Sequence, residues 1–441
     1  MTDPSAQTSR PASVALPDPT FAEALREWAR IGLLSFGGPA AQIALMHKVI
    51  VDERKWLNEA QFLNALSFCM LLPGPEATQL ATYVGWRLHG VVGGIAAGLL
   101  FVLPGAVVVL ALSMIYAIFG NVPFIEAIFF GIKAAVLVIV IEALLRIAKR
   151  ALKHWYEWAI ALASFVGIFL LGLPFPVIIM AAALFGFLRA PRSAVGDVAP
   201  LPSVPLRDTL TTIAVWLAVW IVPLALLTAA LGTGHVLSQL ALFFSKLAVV
   251  TFGGAYAVLA YMTDTVVIKH GWLEAGQMLD GLGLAETTPG PLILVTEFVG
   301  FVAAYQAGGG ASVGMGLMGA LVALWATFAP CYLWIFAGAP YIEWLNTQPR
   351  LKGALAAITA AVVGVILNLA VWFALHVFFG KVALETVGPF RFWVPDPATL
   401  DWRVVVLAVV SGVLLLRLHW SIPAVLGVAS ALALGIRAAA L

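Results

Sequence analysis

The chain has 441 residues, 62% of them hydrophobic and 10% charged, with a formal net charge of +2 and a mean hydropathy of +1.02. Soluble domains carry about 25% charged residues, so this composition excludes a soluble globular protein and implies an integral membrane protein. Long apolar runs exclude a β-barrel, whose strands alternate apolar and polar residues, and the near-neutral charge with no basic patch excludes a nucleic-acid partner.

The expected class is therefore an all-α polytopic protein with the lipid bilayer as its surroundings. Residues 1–28 begin polar and Pro-rich, with no apolar core for a signal peptide, and read as a cytoplasmic tail. Apolar segments follow at 29–50, 62–86, 91–119, 124–148, 155–172 and 174–189. The Pro, Ser and Gly content of 190–207 marks a linker. A single span at 208–232 comes next, then segments at 236–262, 277–305, 310–337, 353–379, 402–419 and 421–437. Parity does not decide whether 29–50 and 62–86 cross fully or dip in and return.

The two groups repeat. Ser35-Phe36-Gly37-Gly38 recurs as Thr251-Phe252-Gly253-Gly254, an offset of 251 − 35 = 216. Trp56-Leu57 recurs as Trp272-Leu273, and Pro73-Gly74-Pro75 as Pro289-Gly290-Pro291, at the same offset. Tyr83-Val84-Gly85-Trp86 then resembles Phe298-Val299-Gly300-Phe301 at an offset of 215. The domains read as a first repeat over 29–189 and a second over 236–437. Arg146, Lys149, Arg150 and Lys153 form the densest basic cluster and should be cytoplasmic, as should the linker with Arg189, Arg192 and Arg207. The extra span at 208–232 then inverts the second repeat relative to the first, the architecture of many secondary transporters. The N-terminus is expected in the cytoplasm and the C-terminus in the periplasm.

The motifs suggest chemistry. Proline disfavours helical backbone in the residue before it, so helices should break at Pro73-Gly74-Pro75, with Pro75 opening the next helix. That would aim the N–H groups of Glu76, Ala77 and Thr78 at an anion. The second copy offers Leu292, Ile293 and Leu294 N–H groups, with the Thr287 and Thr288 hydroxyls just before Pro289, Gly290 and Pro291. Gly37-Gly38 and Gly253-Gly254 either allow close helix packing or mark a second break, with the Ser35 and Thr251 hydroxyls beside them. Arg30 and Lys246 align by the same offset (30 + 216 = 246), Lys246 within more apolar surroundings; each is an anion ligand or a snorkelling cation. Lys133 is an anion ligand or the partner of an acid on another helix. Glu76, Glu286 and Glu297 flank the breaks as candidates for proton coupling or ion pairing, and Glu142 with Arg146 reads as an i,i+4 pair. Cys69 and Cys331 read as buried hydrophobes, the histidines form no metal-ligand grouping, and no cofactor is expected.

The repeated Phe-Gly-Gly, the Trp-Leu after it and the Pro-Gly-Pro closing the next helix resemble the chromate transporter family in its long two-domain form. The resemblance covers 29–189 and 236–437 and implies a bacterial inner-membrane exporter of chromate that confers resistance, with sulfate as a competing analogue. The motif residues carried over are Ser35 to Pro39, Pro73 to Glu76, Thr251 to Gly254 and Pro289 to Pro291. The copies differ where Pro39 becomes Ala255 and Glu76 becomes Leu292. Other readings are a sulfate or other oxyanion exchanger, a membrane-embedded enzyme and a lipid scramblase; a homodimer is an assembly left open.

Overall fold

The computed structural model describes residues 19–120, 122–191, 204–252, 254–307 and 311–439. It is helical almost throughout. The helix α1 (Phe21–Leu34) begins within the stretch expected to be a tail. Thr20 caps it, and Glu23 returns a bond to the Thr20 backbone, a capping box that satisfies two otherwise unpaired donors. After a break, α2 (Gly38–His47) runs on as a wider π-helix to Glu53. Then come α3 (Glu59–Leu71) and α4 (Glu76–Phe119).

The four segments that carry the repeated motifs are hairpins, not single spans. Along a straight helix Phe68 and Tyr83, fifteen positions apart, would be about 22 Å apart; their ring centroids lie 6.1 Å apart. The chain therefore folds back at Pro73-Gly74-Pro75. In the same way Trp28 meets Trp56 at 6.5 Å, and Arg30 meets Glu53 at 3.3 Å. Thus α1 and α2 form a hairpin whose tip is Ser35-Phe36-Gly37. A third turn follows at His89-Gly90, where Gly90 takes φ +62°. Gly85 there lies against Gly93 and Ala97, so the two arms of α4, 76–88 and 91–119, run antiparallel.

The first repeat then closes, and after one more crossing helix the second follows the same plan. The helix α5 (Pro123–Ala151) crosses back, α6 (Trp155–Phe169) and α7 (Phe175–Arg189) form a pair, and α8 (Leu206–Leu231) crosses at the rim, burying only Trp220 and Leu224. Then α9 (Val236–Val250) and α10 (Ala255–Thr263, extended as π-helix to Lys269) fold back, bringing Phe243 within 5.8 Å of Trp272. Helix α11 (Ala275–Thr287) and α12 (Val295–Gln306) fold back too, with Gly281 against the Phe298 ring. A long α13 (Val313–Gly338), a short α14 (Ile342–Asn346) and α15 (Pro349–Phe378) follow. The chain ends in α16 (Trp402–Gly412) and α17 (Ile422–Ala439).

Contacts fix which ends share a face. His89 Nε2 lies 2.9 Å from the Pro19 carbonyl, so the first two hairpins open on one face. Thr209 bonds Tyr341 at 2.8 Å on that same face. On the other, Arg437 pairs with Glu126 at 3.0 Å, and the Arg391 N–H donates to the Leu170 carbonyl at 2.7 Å. Since α8 crosses before α9 begins, the second pair of hairpins enters from the opposite face. Among the described residues, six helices are long and apolar enough to cross a membrane.

One element was not expected. Strands β1 (Val382–Val387) and β2 (Phe390–Pro395) pair antiparallel across Gly388, which takes φ +60°. They occupy the stretch between the segments expected at 353–379 and 402–419.

Glycines set how closely the arms approach. A Cβ at Gly300 or at Gly319 would overlap the carbonyl oxygen of the other, which locks α12 against α13. Gly319→Leu is expected to cost about 1–3 kcal/mol or more through overpacking, seen as a lower yield of monodisperse protein in detergent.

Candidate functional site

The four tips meet in the middle of the protein. The Gly74 N–H donates to the Thr251 carbonyl at 2.9 Å, and the Gly290 N–H donates to the Ser35 carbonyl at 2.8 Å. Since 74 + 216 = 290 and 35 + 216 = 251, each bond is the image of the other under the repeat. Each Pro-Gly-Pro tip of one half thus docks on the hydroxyl-Phe-Gly-Gly tip of the other. The glycines make this possible: Gly37, Gly38, Gly74, Gly254 and Gly290 hold φ of +85°, +78°, +114°, +95° and +88°, a region that costs other L-residues about 1–2 kcal/mol. Gly253 lies outside the described residues. The Gly37-Gly38 pair is therefore a break and the start of α2, rather than a packing contact inside one span.

Side chains reinforce the junction. Gln42 Nε2 donates to the Gly290 carbonyl at 2.6 Å, and Gln79 Nε2 donates to the Pro73 carbonyl at 2.7 Å. Neither glutamine stood out in the sequence, although both are amides in apolar segments beside the motifs. Pro289 is buried against Gly105 of α4, where a Cβ would overlap the Pro289 carbonyl oxygen. Gly37, Gly38, Pro73, Pro75, Glu76 and Gly254 keep partial exposure, whereas Pro289, Gly290 and Pro291 are buried.

The donors at the tips are unequal. Pro75 is the cap of α4, one position before the place expected, with ψ 105°. The first helical bond goes from the Gln79 N–H to the Pro75 carbonyl at 3.1 Å, so the Glu76, Ala77 and Thr78 N–H groups precede the helical ladder. In the second copy a 3-10 turn over Leu292–Leu294 sends the Leu294 N–H to the Pro291 carbonyl at 2.9 Å. That tighter turn leaves Leu292 and Ile293, and not Leu294, ahead of the ladder. Hydroxyls divide as well. Ser35 donates to the Ile31 carbonyl at 2.6 Å, Thr287 to Leu284 at 2.8 Å, Thr288 to Ala285 at 3.3 Å, and Thr251 to Leu247. Thr78 Oγ1 is buried with no hydrogen-bond partner among the described residues.

The charged groups sort into three places. Arg30 sits at the open end of the first hairpin, paired with Glu27 and Glu53, and Arg54 also pairs with Glu27. Lys246, expected in a deep apolar setting, is exposed on the face of α9 that carries Leu242 and Val249, with no ion pair among the described residues. Seven positions before a motif says nothing about which side of a helix faces out. On the tip-facing side of α5, Arg146 pairs with Glu142 and stands within electrostatic reach of Glu286, which accepts from the Tyr256 hydroxyl at 2.8 Å. Arg150 is within reach of Glu76, whose Oε1 would stand 3.5 Å from a Cβ on Gly254. Towards the other face, Lys133 pairs with Asp280 at 3.3 Å, and Tyr116 donates to the same carboxylate at 2.9 Å. Asp280 was not singled out from the sequence; Gly276, Asp280 and Gly283 recur at helical spacing on α11, which was the available signal. Glu297 is fully buried, and neither of its oxygens has a partner among the described residues.

The site can therefore offer backbone N–H groups and the Thr78 hydroxyl, unpartnered among the described residues, with Arg150 and Arg146 within electrostatic reach of its carboxyls. Such donors suit a small multi-oxygen anion. The family model described as "Chromate transporter" matches residues 22–187 and 238–436. A "Probable chromate transport protein" of Synechococcus elongatus is 29% identical over 400 residues, covering 87% of this chain and 93% of that protein. A "Chromate transport protein" of Cupriavidus metallidurans is 30% identical over 356 residues, 79% of this chain and 82% of its own length. Another, of Pseudomonas aeruginosa, is 32% identical over 371 residues, 82% of this chain and 83% of its own length. No solved structure matches the chain.

Proposed function

The chain belongs to the chromate transporter family, and on that premise we propose that it is a secondary carrier which moves chromate out of the cell across the bacterial inner membrane. The observation that carries this reading is the junction of four tips, with the Gly74 to Thr251 and Gly290 to Ser35 bonds related by the repeat. Rearranging those bonds offers two equivalent openings, one towards each face, as alternating access requires. The substrate would lie against the N–H groups of Glu76, Ala77 and Thr78 and the Thr78 hydroxyl. Ser35, Thr251, Thr287 and Thr288 would join only after releasing their own helix carbonyls.

Charge supports the direction. With the Arg146, Lys149, Arg150 and Lys153 cluster in the cytoplasm, Arg150 and Arg146 bring positive charge within electrostatic reach of Glu76 and Glu286 from that side. One charge crossing 100 mV is worth about 2.3 kcal/mol, so a dianion leaving a negative interior gains roughly 4.6 kcal/mol. That equals about three decades of concentration. Export at this ratio would confer resistance. Glu76, Glu286 and Glu297 flank the two Pro-Gly-Pro tips in the chain and are the candidates for proton coupling. Sulfate shares the charge and tetrahedral shape of chromate, and N–H groups discriminate the two poorly, so sulfate is a competing or exchanged anion.

The test is chromate accumulation in everted membrane vesicles under an imposed potential, compared with right-side-out vesicles. Accumulation in the everted vesicles, collapsing with the potential, is the expected result. Accumulation only in right-side-out vesicles would reverse the direction. Lys246→Ala, on the exposed face of α9, is expected to leave the KM for chromate within about twofold, as for surface substitutions of about 0.5 kcal/mol.

A further inference from the structure

The Lys133–Asp280 pair joins the halves at a place the tips do not use. Lys133 stands on α5 and Asp280 on α11, the hairpin of the second repeat. Gly276 and Gly283 share a face of α11 with Asp280: a Cβ at Gly276 would stand 3.2 Å from Lys133 Nζ, and one at Gly283 would overlap Ile132. The two glycines thus let α11 press against α5 and bring the carboxylate to the cation. Along α5, Lys133 is thirteen residues from Arg146, about 20 Å of helix, towards the face on which α5 and α11 begin.

The pair is incomplete as a structural ion pair. Lys133 Nζ and the Tyr116 hydroxyl both address Asp280 Oδ2, while Asp280 Oδ1 is buried without a partner among the described residues. A buried carboxylate kept for stability would use both oxygens. Lys133 itself stays 30% exposed at the side chain, against 5% for Asp280, so the pair does not enclose the cation.

We propose that Lys133 and the Tyr116 hydroxyl form a second oxyanion station, beyond the tips, at which Asp280 occupies the anion's place until the transported dianion displaces it. A tetrahedral oxyanion has oxygens for both donors at once, so the exchange trades one acceptor for another without leaving Lys133 uncompensated in the membrane. Breaking the Lys133–Asp280 contact also removes an ion pair that ties the α11–α12 hairpin to α5, leaving the packing of Gly283 on Ile132, so passage of the anion is coupled to how firmly that hairpin is held. The inference rests on the carrier reading above.

The test uses full-length protein in everted vesicles, with chromate influx measured against concentration and protein amount checked as monodisperse material in detergent. Lys133→Gln is expected to lower Vmax/KM about tenfold or more, as loss of a charge-assisted contact does, while Lys133→Arg keeps most of the activity. Asp280→Asn is expected to lower KM several-fold, because the cation is released, and to lower Vmax with it. The double variant Lys133→Gln/Asp280→Asn is expected to transport as poorly as Lys133→Gln alone. Parental transport in the double variant, or an unchanged KM in Asp280→Asn, would make the pair merely structural and overturn the proposal. Absence of saturable flux in the parent protein would count instead against the carrier reading.

Discussion

Replacing Gly290 by valine is expected to abolish chromate transport, and replacing Gly74 by valine to impair it severely. Both glycines hold positive φ, +88° and +114°, where an L-residue with a Cβ costs about 1–2 kcal/mol and a β-branched one more. Both donate the backbone bonds that join the halves, to Ser35 and to Thr251. Their surroundings differ. A Cβ at Gly290 would stand 3.2 Å from the Gly105 Cα, which is backbone and does not yield. A Cβ at Gly74 would meet Gln79 Nε2 at 3.0 Å, the far end of a flexible side chain. Alanine should therefore separate them: Gly290→Ala loses transport and about 2 kcal/mol or more of stability, and Gly74→Ala keeps part of both. Thermal unfolding in detergent together with vesicle uptake measures the difference. Equal tolerance at the two positions would show that the second tip is less constrained than its packing implies.

Thr78→Val should separate binding from folding. The hydroxyl is buried and has no partner among the described residues, so its removal strands none of them and the valine should leave stability unchanged or slightly raised. If the hydroxyl donates to the transported anion, its loss removes a hydrogen bond to a charged group, worth about 1.5–3 kcal/mol. The KM for chromate should then rise by roughly ten- to a hundredfold, with Thr78→Ser close to the parent protein. A stable Thr78→Val protein with an unaltered KM would remove the start of α4 from the site.

Much of this arrangement was legible before the structure, because a repeat offset is a geometric statement. Three motifs at 216 positions identified the pieces that now meet as Gly74 with Thr251 and Gly290 with Ser35. Apolar length was less informative. The segments 29–50, 62–86, 236–262 and 277–305 have the length of spans, yet each is two short arms around a tip. Hydropathy counts apolar residues and is blind to a reversal of direction; only contacts such as Phe68 with Tyr83 reveal it. The start of α1 was missed despite Thr20 and Glu23 standing at capping-box spacing, because the polar stretch before it dominated the reading. In β1, Val382, Leu384 and Thr386 alternate with Ala383, Glu385 and Val387, a signal too short to compete with the apolar helices around it.

For the site, residue type was readable and commitment was not. Ser35, Thr251, Thr287 and Thr288 were nominated as donors, and their protons are given to carbonyls of their own helices. A hydroxyl at the end of a helix has a carbonyl three or four residues back within reach, a competition the motif alone does not display. Asp280 was overlooked beside the more conspicuous Glu286 and Glu297, yet it alone of the three pairs with Lys133.

The concentration dependence of chromate uptake into everted vesicles, with and without sulfate, bears most directly on the carrier built around these four tips. Saturable uptake, with sulfate raising the apparent KM and leaving Vmax unchanged, is the predicted result, and Thr78→Val should shift the same curve to higher chromate. Uptake that rises linearly with chromate and ignores sulfate would contradict it.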